Sequence, residues 1–151
     1  MNILNGKIET IFIGGLSAIA WSSAANTLAI SARSYGDPPT TIPGGIYLWR
    51  PGDRQARRAA TGEPNLPAVW SPTGEWAAFS SNGVYLAAND PEHEPIELTE
   101  SSAYAIAWSP DGHYIAFTRG CIDPGIDACG PDLYLVDSTG DHKRLLADGW
   151  I

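Results

Sequence analysis

A tryptophan, a serine, a turn and a short apolar run recur three times along the chain. Residues 18–31 read AIAWSSAANTLAIS, residues 67–80 read PAVWSPTGEWAAFS, and residues 105–118 read AIAWSPDGHYIAFT. The third copy writes its turn as Ser109-Pro110-Asp111-Gly112. Proline in second place presets φ, aspartate bonds local backbone, and glycine relieves the last position, so the motif predicts a hairpin between two strands. The first copy, WSSAAN, lacks both the proline and the glycine. A third strand follows in GIYLWRPGD (45–53), GVYLAANDP (83–91) and DLYLVDSTGD (132–141), marked by Tyr47, Tyr85 and Tyr134. A fourth closes each copy in RQARRAAT (54–61), EPIELTE (94–100) and DHKRLLADG (141–149). Runs such as WAAF and YIAF are apolar on both faces. A sheet with one wet face would alternate; a sheet covered on both sides does not.

Three copies of a four-stranded antiparallel unit predict an all-β chain, a β-propeller built of four-stranded blades. The segment GKIETIFIGG reads as the closing strand of a preceding blade. The expected boundaries are 6–15 for that spare N-terminal strand, 16–61 for blade 1, 62–100 for blade 2 and 101–149 for blade 3, one partial propeller over 1–151. Trp21, Trp70 and Trp108 are expected to wedge between adjacent blades, where their large area dominates packing. Successive tryptophans lie 49 and 38 residues apart, a difference that falls in the loop between second and third strands. That loop is long in copies one (33–45) and three (119–132) and only SSNG in copy two.

Propellers close with about four to eight blades. Three blades make an incomplete ring, and two expectations follow. The chain is a piece of a larger propeller, whose remaining blades are its partner, or two copies form a six-bladed homo-oligomer. In both cases a lone copy exposes two apolar blade faces, so association or low solubility is expected.

The 16 glycines and 12 prolines are spread along the sequence, and hydrophobic residues make up 44% against 17% charged, as suits a compact, turn-rich sheet protein. The net charge of -8 is uneven: residues 1–58 carry six basic and three acidic side chains, the remainder three basic and fourteen acidic. An acidic body excludes general nucleic-acid binding, which needs clustered cations. Arg50, Arg54, Arg57 and Arg58 form the one basic cluster, read as a solvated edge or a charged strand. The stretch IFIGGLSAIAWSSAA resembles a signal-peptide core, but Glu9 and Gly14-Gly15 interrupt it, and the repeat uses Trp21 structurally. No targeting segment is expected, and no run is long enough to span a membrane.

The third copy, AWSPDGHYIAF followed by LYLVDSTGDHKRLL, resembles the WD40-like propeller repeat of TolB-type proteins, which also builds the propeller domains of prolyl-oligopeptidase-like enzymes. The resemblance covers nearly the whole chain. It implies a bacterial, extracytoplasmic setting in the periplasm or cell envelope, and a non-enzymatic scaffold for protein or ligand binding. The alternative it implies is the propeller portion of a serine peptidase, gating a separate hydrolase domain.

Candidate chemistry is sparse. Cys121 and Cys129, the only cysteines, share the long loop of copy three and are read either as a disulfide or as two free thiols. Asp123, Asp127 and Asp132 offer hard oxygens for Ca²⁺, but their spacing is not that of an EF-hand, so no metal is expected. His93, His113 and His142 fall at different repeat positions and are read as surface residues. The chain contains neither a Gly-x-Ser-x-Gly elbow nor a glycine-rich phosphate loop. No catalytic residue and no cofactor is therefore expected. The long loops sit on one rim of a propeller, where Arg33, Tyr35, Asp37 and Arg119, with Asp123 and Asp127, are candidate binding residues.

Overall fold

The computed structural model describes residues 9–37, 41–64, 66–100, 102–119 and 132–147. Twelve strands form three antiparallel four-stranded sheets in sequence order. Blade 1 holds β1 (Gly15–Ser22), β2 (Thr27–Arg33), β3 (Gly45–Trp49) and β4 (Arg57–Thr61). Blade 2 holds β5 (Val69–Trp70), β6 (Trp76–Ser80), β7 (Val84–Ala88) and β8 (Ile96–Thr99). Blade 3 holds β9 (Ala103–Trp108), β10 (Tyr114–Arg119), β11 (Asp132–Asp137) and β12 (Arg144–Ala147). This is the incomplete all-β propeller that the repeat predicts. Among the described residues no helix is long and apolar enough to cross a membrane.

The Ser-Pro-x-Gly turns close as their residues dictate. Gly74 N–H donates to Ser71 O and Gly112 N–H to Ser109 O, each across 2.9 Å, with glycine φ of 75° and 74°. The serine hydroxyl also accepts from the first amide of the next strand, Trp76 at 3.1 Å and Tyr114 at 2.9 Å. In blade 1 alanine occupies the glycine place, and the left-handed residue is instead Asn26, φ 50°. Asparagine tolerates that region far better than alanine, so the turn survives the loss of its motif.

Strand register sorts the side chains into the inter-blade cores. Trp70 pairs with Ala77, and Phe79 with Tyr85, so these side chains share the face of blade 2 that meets Ala29, Ile46, Leu48 and Ala60 of blade 1. On its other face blade 2 turns Ala78, Val84, Leu86 and Leu98 towards Ile115, Phe117 and Val136 of blade 3. Phe79 stacks on Tyr85 (ring centroids 5.4 Å apart) and Phe117 on Tyr134 (5.5 Å). Strands apolar on both faces are thus strands buried on both faces.

Trp70 and Trp108 fill the inter-blade space and also bond across it, whereas Trp21, expected to do the same, is 49% exposed on the face of blade 1 turned away from blade 2. Trp70 Nε1 donates to Ala20 O at 3.1 Å, and Trp108 Nε1 to Val69 O at 2.9 Å. Each acceptor directly precedes the tryptophan of the blade before.

Residues 9–14 belong to no strand, and Gly15, expected to end the spare strand, begins β1. The segment nevertheless lies where a closing strand would lie relative to blade 1. Ala56 N–H donates to Ile11 O at 2.8 Å, and Phe12 packs on Tyr47, ring centroids 4.8 Å apart. Blade 1 has Ile30 where the other blades carry phenylalanine, and Phe12 supplies the missing ring. Among the described residues the segment has no third strand to pair with, because the outer edge of β3 is taken by β4.

Candidate functional site

Turns joining first to second and third to fourth strands lie on one rim, the long loops on the other. A cleft of about 700 Å³ opens on the turn rim between blades 1 and 2. Its floor is built from the turns after β3 and β7. Asp53 N–H donates to Arg50 O at 2.9 Å, while Asp53 Oδ2 accepts from Arg50 N–H at 3.0 Å. This closed loop leaves the Arg50 side chain to cross to blade 2. There its Nη2 donates to the main-chain oxygen of Asn89 at 3.1 Å and to Oδ1 at 2.9 Å, and its Nε to Thr27 Oγ1 at 3.3 Å. Arg57 Nη2 donates to the same Asn89 oxygen. Asn89 is buried and completes the knot by donating from Nδ2 to Gly74 O at 3.0 Å.

Two guanidiniums therefore converge on one amide. Burial lowers the Arg57 pKa, and the charge of Arg50 lowers it further, against the opposing pull of Asp90 and Asp53. Arg50, Arg54 and Arg58 are exposed and Arg57 is half-buried at the start of β4, and beyond the expected charged edge Arg50 and Arg57 also tie blade 1 to blade 2. Arginine suits the task, since its planar fork reaches two oxygens at once.

The cleft wall carries Glu75, Trp76, Asp90 and His93. Asp90 accepts from Glu92 N–H at 2.9 Å, which chiefly lowers its pKa; His93 Nδ1, 3.2 Å from its other oxygen, lowers it further. The imidazole meets Trp76 edge-on, centroids 6.2 Å apart. Glu75 accepts from the Thr73 hydroxyl at 3.1 Å. Cation, carboxylates, imidazole and an aromatic ring suit the recognition of a polar ligand. They do not form a nucleophilic constellation: no serine or cysteine bonds His93 among the described residues. Nor do the described residues contain a group of three or more acidic, histidine or cysteine side chains placed to hold a metal ion.

On the opposite rim, Arg33 ends β2 and Tyr35 forms an isolated bridge with Ile42; both are exposed, as is Asp37. Glu63 fastens this loop, accepting from Ser34 N–H at 2.9 Å and from the Ser34 hydroxyl, which together lower its pKa. Arg119 ends β10 in blade 3, where it pairs with Asp132 at 3.6 Å and lies over the Tyr134 ring, 4.9 Å from its centroid. Blade 2 stands between Arg119 and the blade 1 residues. Cys121, Cys129, Asp123 and Asp127 lie outside the described residues.

Of the cleft residues, Glu75, Trp76, Asn89 and Asp90 were not singled out in the sequence, and His93 was read only as a surface residue. The one signal, for Asn89, Asp90 and His93, was the charged NDPEHEP stretch at 89–95, which makes the last turn of blade 2 distinctive.

No family model matches the sequence. No curated relative matches it either. Its structure is similar to TolB from Acinetobacter baumannii, with a TM-score of 0.62 and 20% identity over 97% of this chain and 36% of that one. It is similar to dipeptidyl peptidase 4 from Porphyromonas gingivalis, with a TM-score of 0.60 and 12% identity over 87% of this chain and 25% of that one. An oligogalacturonate lyase in complex with manganese aligns with a TM-score of 0.53 and 16% identity over 82% of this chain and 33% of that one. At these identities the likeness is one of fold: a TolB-like propeller repeat. The chain spans between a quarter and about a third of the length of these three structures.

Proposed function

We propose that this chain is a non-enzymatic propeller segment that binds a protein or peptide ligand in the cleft between blades 1 and 2. The observation that carries the reading is the wall of Glu75, Trp76, Asp90 and His93 above the Arg50–Asn89 knot. Both signs of charge are held on turns and the aromatic ring on the first residue of β6, all fixed by the strand pairing, so a ligand meets a preorganised surface. The carboxylates and imidazole already have local hydrogen-bond partners, which suits recognition more than proton transfer. Arg33, Tyr35, Asp37 and Arg119 offer a second contact surface on the loop rim within the same reading. The setting proposed is extracytoplasmic and bacterial, as the resemblance to TolB-type repeats implies.

The test is site-specific photo-cross-linking in the source cell, with the photoreactive side chain at Glu92 beside the cleft and, separately, at Arg54 away from it. A discrete protein adduct from Glu92 that disappears in the His93→Ala, Glu75→Ala background is expected. Absence of any adduct at Glu92, or equal adducts at both positions, would overturn the reading. A second reading, the propeller of a prolyl-oligopeptidase-like peptidase, is favoured by the likeness to dipeptidyl peptidase 4. It requires peptidase activity that co-purifies with the chain from its source.

A further inference from the structure

Blade 1 and blade 3 each turn one face away from blade 2, and these faces are the two halves of one repeated interface. Leu16, Ile19 and Trp21 on the free face of blade 1 are 60%, 59% and 49% exposed. Strand register puts Ile19 beside Ile30 and Trp21 beside Leu28 on that face. By repeat position Ile19, Trp21 and Leu28 match Ile106, Trp108 and Ile115, the side chains blade 3 presses against blade 2. On blade 3, register places Ala107 and Leu135 beside Ala116, and Ala105 and Leu133 beside Thr118, on the face turned outwards. Ala107, Ala116, Leu133 and Leu135 match Ala20, Ala29, Ile46 and Leu48, the surface of blade 1 that receives blade 2. Yet Ala105 and Ala107 are exposed, and Ala116, Leu133 and Leu135 are only partly buried.

The hydrogen bonds fix the register of this interface. Trp70 takes the carbonyl of Ala20 and Trp108 that of Val69. In the same series Trp21 is an indole without a bonded carbonyl among the described residues, and Ala107 is the next acceptor. We propose that a second copy of this chain docks head to tail, the Trp21 indole of one copy donating to the Ala107 carbonyl of the other. A second copy is the occupant because it carries the missing half for each face in matching register. The contact centres on the inner strands, since Phe12 already covers the outer part of the blade 1 face at Tyr47. Unlike faces meeting head to tail form a heterologous interface, and two copies supply six blades, within the range at which propellers close. The inference is independent of the ligand cleft, which lies on the rim between blades 1 and 2.

Sedimentation velocity across a concentration series tests it on the full chain. The unaltered protein is expected to associate, and Trp21→Phe, which keeps a ring but removes the N–H, to weaken association about 10-fold. Trp21→Lys and Ala107→Glu are each expected to be monomeric alone and to form a dimer when mixed, because each keeps the half that the other lacks. Circular dichroism establishes that both are folded, and Glu100→Gln, exposed just after β8 of the central blade, serves as an unaffected control. A monomer at every concentration would overturn the proposal. So would association indifferent to Trp21→Phe, or folded variants that fail to complement while the unaltered protein associates.

Discussion

The indole nitrogen of Trp108 lies 2.9 Å from the carbonyl oxygen of Val69, the residue immediately before the preceding repeat's own tryptophan. One blade's wedge thus satisfies the backbone of its neighbour's short inner strand. The same bond joins Trp70 to Ala20. Because the donor and acceptor positions recur with the repeat, an interface between sheets distant in sequence is written locally in each copy.

That relationship sets the cost of losing the indole. Trp70→Phe or Trp108→Phe leaves a strand carbonyl without its partner and removes apolar area, for a loss of about 1–3 kcal/mol. Trp21→Phe in the monomer is expected to cost less than half as much, since its indole meets no carbonyl among the described residues. Urea unfolding of the three variants, with the tryptophan-independent circular dichroism signal as readout, gives the ranking.

Asn89 is the polar joint between blades 1 and 2. Asn89→Ala leaves the buried Gly74 carbonyl without its partner and removes one of the Arg50 guanidinium's acceptors. A loss of about 2–3 kcal/mol is expected. Hydrogen exchange should quicken in the turns around Gly74 and Asp53 before it does in blade 3.

Gly74 and Gly112 have nearly the same φ, but their surroundings differ. A Cβ at Gly74 would stand 2.6 Å from Ala25 Cβ and 2.7 Å from Ser22 Oγ, whereas at Gly112 the nearest atom is Pro72 Cδ at 3.7 Å. Gly112→Ala is expected to cost about 1–2 kcal/mol from backbone strain alone. Gly74→Ala should cost about 1–3 kcal/mol more, because blade 1 must move as well. Thermal melts of the two variants decide this, and equal losses would contradict the inter-turn contact.

The turn between β11 and β12 is pH-sensitive. His142 Nδ1 lies 2.8 Å from Asp137 Oδ2, a hydrogen bond that raises the His142 pKa above its ordinary 6.5. Asp137 is lowered below 3.8, chiefly by the Thr139 hydroxyl and then by His142. A raised histidine contributes its stabilisation below 6.5 and loses it as pH climbs through the raised value. A lowered aspartate contributes above 3.8 and loses it as pH falls through the lowered one. The turn is therefore tightest between about 3.8 and 6.5. Proton NMR should show the His142 ring titrating above 6.5, and Asp137→Asn should bring it back.

The repeat was readable because a blade is specified locally. Turn residues, a tryptophan and a doubly apolar strand lie within fourteen residues of one another, and copies two and three spell them alike. Copy one was readable only from its flanks: its turn replaces proline and glycine by side chains, and Asn26 in the left-handed region restores the bend. The candidate cleft was not legible. Arg50 and Asn89 are 39 positions apart and belong to different copies, and nothing in either copy alone says that the side chains meet. The candidates on the long loops came from loop length alone, and Arg119 stands a full blade away from Arg33.

The sequence by itself determined the strands, their order and the blade as a unit, because period, turn chemistry and apolar content act over a few residues. Only the tertiary structure decided which side chains cross between blades. Stacking the sheets joined two arginines of an apparent surface cluster to the buried Asn89 of the next blade and laid Phe12 over Tyr47 outside any strand. The physical reason is that hydrogen bonds and ring contacts depend on distance in space, and a stacked repeat brings together residues that local pattern treats as unrelated.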